Sequence, residues 1–185
     1  MRTIGFISAA DPEPILLGSI ERCLRDHCCE RVFLLREGLI ESLSNCAPPD
    51  LIETVLGGSA EQIDELLAAR RKARLLERTY SLPKPPKKAI ELVGDRLILL
   101  TAQKGSLDEE DIANVNAVLF GDSKEPFAKP FGSRIFASPG DGAGAYGILF
   151  RDARGGLETK IFSQDGSLLA HAATEGKRPR FSITS

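Results

Sequence analysis

The sequence predicts an α/β domain, and three features of its pattern carry that assignment. A short apolar run, a helical period and a second apolar run follow one another at the start of the chain. A proline-marked connection interrupts the middle. Short apolar runs separated by Gly and Asp turns then fill the second half. The first feature argues for strands paired in parallel under covering helices; the last argues for antiparallel neighbours.

Ile4, Phe6 and the run to Ser8 read as a buried strand, followed by a loop in which Asp11, Pro12 and Pro14 can start a helix. Leu16, Ile20, Cys23, Leu24 and His27 recur at helical spacing and predict one face turned to a core, with His27 structural. Residues 31–35 and 51–56 read as the second and third strands, the latter ended by Gly57 and Gly58. A helix is expected over residues 61–80. Its basic stretch, Arg70, Arg71, Lys72, Arg74 and Arg78, reads as a solvated face, with a partner surface as the competing reading.

Pro83, Pro85 and Pro86 force an extended connection, because proline cannot continue a helix and biases its predecessor toward extended geometry. Residues 89–93 and 96–101 form an expected hairpin around Gly94-Asp95. A short acidic helix is expected after Ser106, with Asp108, Glu109 and Glu110 at its positive end, and a buried strand over 117–121. Residues 133–137, 146–152, 157–163 and 167–171 read as consecutive antiparallel strands. The expected organisation is one domain over 1–173 with a basic tail over 174–185 that carries Lys177, Arg178 and Arg180.

The 185 residues suffice for one sizeable core. A formal charge of −2 and a pI near 5.8 give no global attraction for nucleic acid. Cys23, Cys28, Cys29 and Cys46 form no C-x-x-C pair and lack spaced histidines, which argues against zinc and for small buried hydrophobes in a reducing, cytoplasmic compartment. No run approaches the roughly 20 apolar residues of a membrane span.

Six segments in order resemble the small bacterial branch of the calcineurin-like metallophosphoesterases, over residues 1 to about 163. IGFISAADP at 4–12 looks like that family's strand followed by D-x-H-G, and VFLLREG at 32–38 like the strand before Gly-Asp. VLGGS at 55–59 resembles the Gly-Asn segment. ELVGDRLILLTAQKG at 91–105 resembles the approach to His-Gly, and VLFGDSKEP at 118–126 sits where Gly-His-Thr-His is expected. FASPGDGAGAYGILF at 136–150 resembles the Asn-Pro-Gly-Ser segment and the strand after it. The resemblance implies a four-layer αββα sandwich, two mixed sheets flanked by helices, with the site in the loops after the strands.

At the positions where the resemblance would place metal ligands, the chain carries Ala9 and Asp11, Glu37 preceded by Arg36, Gly58, Ala102, Asp122 and Lys124. None of the seven expected ligands is retained. The family's reaction uses two divalent cations, and at an effective dielectric of about 20 two dications about 4 Å apart repel by roughly 17 kcal/mol. Ala9, Gly58 and Ala102 offer no side-chain donor against that repulsion. The reading that follows is a pseudoenzyme, a binding or scaffolding module without cofactor whose partner is a protein or an anionic small molecule, with a homo-oligomer left open. An anion would be held by Arg36, Lys104 and Lys124 in the old phosphate pocket. Alternatively, Asp11, Glu37 and Asp122 hold one Mn²⁺ or Mg²⁺ ion for a divergent phosphoesterase or phosphodiesterase reaction. Without a metal, Lys124 and Arg36 are expected to neutralise those three carboxylates.

Overall fold

The computed structural model describes residues 2–8, 12–36, 40, 43, 58–84 and 86–175. Strand β1 (Thr3–Ile7) leads to helix α1 (Glu13–Arg25) and strand β2 (Arg31–Leu34). Helix α2 (Ala60–Leu76) follows, then β3 (Thr79–Ser81) and the hairpin β4 (Ala89–Val93) and β5 (Arg96–Thr101). A 3-10 turn (Lys104–Ser106) and the short helix α3 (Glu109–Ala113) precede β6 (Ala117–Phe120). The chain continues through β7 (Phe127–Phe131), β8 (Arg134–Ser138), β9 (Tyr146–Arg151), β10 (Leu157–Phe162) and β11 (Leu168–Ala173).

Two mixed sheets result. The first runs β11-β10-β9-β1-β2-β3, with β1, β2 and β3 parallel and β9, β10 and β11 antiparallel; the second runs β4-β5-β6-β8-β7, with β5, β6 and β8 parallel. Alternation of side chains explains how they stack. On β1, Ile4 and Phe6 join Phe33, Ile98, Leu100, Leu119 and Leu149 between the sheets. Ile7 of the same strand turns to the other face, where Leu16, Ile20 and Cys23 of α1 and Leu75 of α2 cover it. Burying each such aliphatic side chain contributes about 1.5–3 kcal/mol. On the second sheet's outer face Val118 and Phe120 pack with Val115, Leu107, Phe127 and Phe136, beside the short α3. The layers are those expected, with the last one thin.

Helix α2 starts where its sequence says it should. Ser59 accepts from the Gln62 backbone N–H while the Gln62 side chain accepts from the Ser59 N–H, a reciprocal capping box. It ends sooner than the expected residue 80. The Arg78 carbonyl accepts from Val32 N, and residues 79–81 continue as β3 beside β2, so strand pairing wins over helical propensity there.

The final strands also differ from expectation. Strand β8 lies parallel to β6 in the second sheet, whereas β9, β10 and β11 run antiparallel in the first, so residues 133–171 are not one meander. Strand β7 was not expected at all. It is an edge strand, which is where the sheet tolerates Pro130, and it joins β8 through a two-residue turn at Gly132 with φ +61°. The expected strand at 51–56 and the tail beyond residue 175 lie outside the described residues.

Helix α1 stops at Arg25, so His27 lies just past it; it stacks on Phe162 at 4.8 Å between ring centroids, with Nε2 3.2 Å from the Tyr146 hydroxyl. Burial first of all pushes the His27 pKa below its ordinary value and that of Tyr146 above it. Cys23 and Cys29 are buried thiols and Cys28 is exposed. Burial, followed by the neighbouring Cys29, raises the Cys23 pKa well above the usual thiol range.

Candidate functional site

The carboxyl ends of β1, β2, β5, β6 and β8 meet at one rim of the sandwich, where hydrogen bonds tie neighbouring strand ends within each sheet and Gly121 brings the second sheet against Leu35 of the first. Leu35 N donates to the Ile7 carbonyl at 2.7 Å and Gly121 N to the Thr101 carbonyl at 3.2 Å. Gly121 sits against the other sheet so tightly that a Cβ would lie 2.6 Å from the Leu35 carbonyl oxygen and 3.2 Å from that of Ala102. Only glycine fits there without a backbone shift.

A third loop, from β8 to β9, closes the rim. The buried Ser8 hydroxyl donates to the Gly140 carbonyl at 2.6 Å, and Gly140 N donates to the Ser138 hydroxyl oxygen at 3.3 Å. Gly140 has φ +79°, and a Cβ there would meet the Glu125 carbonyl carbon at 2.6 Å. Asp141 N donates to the Lys124 carbonyl at 3.2 Å.

Two charged groups of this rim, Arg36 and Asp122, are engaged with protein. Arg36, just past β2, donates to Asp141 Oδ1 at 2.6 Å, a pair with side-chain exposures of 38% and 44%. Asp122 Oδ2 accepts the backbone N–H of Lys104 at 2.9 Å. The Lys104 ammonium lies 5.8 Å from the centre of the Phe120 ring, a side chain of the outer face, and lines a pocket there with Ile112, Phe131 and Arg134. Arg36 and Lys104 thus turn to different places, and Lys124 meets the rim through its carbonyl. Among the described residues Arg36 pairs with Asp141 and not with Asp122, and Lys124 forms no ion pair. Ala9, Asp11 and Glu37 lie outside the described residues.

Ala102 is half-buried at the end of β5, and Gly58 is half-buried just before the α2 cap. Neither brings a side-chain donor. Among the described residues no group of three or more His, Cys, Asp or Glu side chains comes together in a way that could hold a metal ion. Asp141 and Ser8 were missed by sequence reasoning. A serine after a strand and an aspartate after Pro139-Gly140 read as ordinary turn residues, and only the tertiary closure gives them partners.

Among solved structures, YfcE, a phosphoesterase from E. coli, aligns over 94% of this chain and 100% of its own with a TM-score of 0.57 and 14% identity. The fold is that of the calcineurin-like metallophosphoesterases. A predicted phosphoesterase from Streptococcus pneumoniae TIGR4 aligns at TM-score 0.59 and 14% identity, covering 94% of this chain and 97% of that one. Vacuolar Protein Sorting 29 from Cryptosporidium parvum aligns at 0.53 and 12% identity, covering 94% and 98%. No protein-family model and no curated protein matches the sequence. The metallophosphoesterase fold is therefore kept over nearly the whole length of these structures, at an identity that speaks for the fold alone. No helix of the described residues is long and apolar enough to cross a membrane.

Proposed function

We propose that this metallophosphoesterase-fold protein has lost its two-metal site and acts as a cytoplasmic, non-catalytic binding or scaffolding module. The observation that carries the reading is the Arg36–Asp141 ion pair in the rim. It puts a neutralised guanidinium–carboxylate pair among the loops where the family's chemistry needs several anionic donors, and such a pair brings no net negative charge to offset the repulsion of two dications. The donor set points the same way. Ala102 and Gly58 supply no ligand atom, and one Asp122 oxygen is already spent on Lys104 N–H. These residues do not fit a two-cation centre.

An anion bound by Arg36, Lys104 and Lys124 together gains less support, since the Lys104 ammonium sits against Phe120 on the outer face. The competing enzyme reading is a single ion held by Asp11, Glu37 and Asp122. Hydrolysis of bis(p-nitrophenyl) phosphate in the presence of Mn²⁺ or Mg²⁺ separates the two. The module reading predicts no turnover above buffer; metal-dependent turnover abolished by Asp122→Ala would establish the enzyme.

A further inference from the structure

A cluster of five arginines lies away from the rim, between helices α1 and α2. Arg25 of α1, Arg70, Arg71 and Arg74 of α2, and Arg78 beyond it line a groove of about 360 Å³, and no carboxylate is among its lining residues. The groove lies toward the amino ends of the strands: Arg78 donates to the carbonyls of Cys29 and Glu30, the residues just before β2. It shares no residue with the rim.

The arginines are unequally committed. Arg25 and Arg71 share a single carboxylate, Glu21, each at 2.7 Å. Arg70 and Arg74 have no ion pair among the described residues. Four residues apart on α2, they are spaced about 6 Å along the helix axis. In a chain whose formal charge is −2, these neighbouring cations repel and a bound anion would offset that repulsion.

The floor of the groove is apolar. Leu24 and Leu75 are each 8% exposed, and Leu67 stands open at 57% on the solvent face of α2. A ligand matching both features carries carboxylates at the same four-residue repeat and aliphatic side chains beside them. A base-stacking polymer fits less well, since the lining residues include no aromatic ring. We propose that this groove docks an acidic amphipathic helix of a partner protein, with Glu or Asp side chains on Arg70 and Arg74 and a Leu-type side chain against Leu67.

The test uses the full chain and a fluorescein-labelled 16-residue helical peptide, with Glu in an i, i+4 stripe and Leu in the adjoining one, followed by anisotropy. Expected are saturable binding, and weakening of about tenfold or more in the Arg70→Glu/Arg74→Glu double variant and about fivefold in Leu67→Ser, as central interface side chains give. Both arginines are exposed on one helix, and unchanged circular dichroism verifies the fold; Arg70→Gln/Arg74→Gln serves if charge reversal prevents folding. No binding, equal binding of a scrambled peptide of the same composition, or tighter binding of oligouridine or phosphatidylserine vesicles would each overturn the proposal. These outcomes are independent of whether the rim binds a metal.

Discussion

Arg36 donates to Asp141 at 2.6 Å and so ties the end of β2 to the crossover between β8 and β9. The contact joins two loops more than one hundred residues apart in the chain, and it occupies the rim with a neutralised pair. Its energetic weight is modest because both side chains remain partly in water. We expect Arg36→Ala and Asp141→Asn each to cost less than about 1 kcal/mol, with a coupling of similar size in the double-mutant cycle by urea denaturation. A coupling of several kcal/mol would mean that the pair is a structural keystone instead.

Asp122 acts through one acceptor oxygen on Lys104 N–H. Asp122→Ala should cost about 1 kcal/mol in denaturation experiments, while Asp122→Asn, whose amide oxygen can still accept, should cost less than half of that. Equal losses in the two variants would assign the stabilisation to the charge.

Gly121 is where the second sheet's loop meets Leu35. The space left for a Cβ, 2.6 Å from a backbone oxygen, cannot be relieved by a side-chain rotation. Gly121→Ala is expected to destabilise by about 2 kcal/mol or more and to lower the thermal midpoint, whereas Gly105→Ala, with nothing within 4 Å of the added carbon, should not be destabilised by a clash. Similar midpoints for the two variants would contradict the close approach of the sheets.

His27 gives the fold a pH dependence of defined sign. Its folded pKa lies below the ordinary 6.5, chiefly through burial against Phe162 and Tyr146. The unfolded chain therefore binds the proton more readily. This group's contribution is fully present above the unfolded pKa and is lost as pH falls from about 6.5 through the lower folded value. Urea midpoints should drop between about pH 7.5 and pH 5.5, and His27→Gln should flatten that slope relative to the parent. An unchanged slope would place the titration elsewhere.

Much of this architecture was legible locally. The buried face of α1, the Gly94-Asp95 hairpin and the acidic start of α3 follow from spacing, turn chemistry and capping, all short-range effects. Strand β7 was not legible, because Lys129 and Pro130 look like a loop until the position at the sheet edge is known. The assignment of β8 to the second sheet was equally hidden: its pairing with β6 is a non-local contact that no periodicity reports. At the rim, the sequence showed which residue types stand at each loop. It could not show that Arg36 reaches Asp141 or that Lys104 turns onto Phe120, since both depend on how the β8–β9 crossover and the outer face pack.

Loss of metal binding from the rim is tested most directly by metal content. The purified protein would be loaded with Mn²⁺, desalted and assayed by elemental mass spectrometry beside Asp122→Ala. The account predicts substoichiometric metal that is the same in both proteins. One or two equivalents retained by the parent and lost in Asp122→Ala would contradict it.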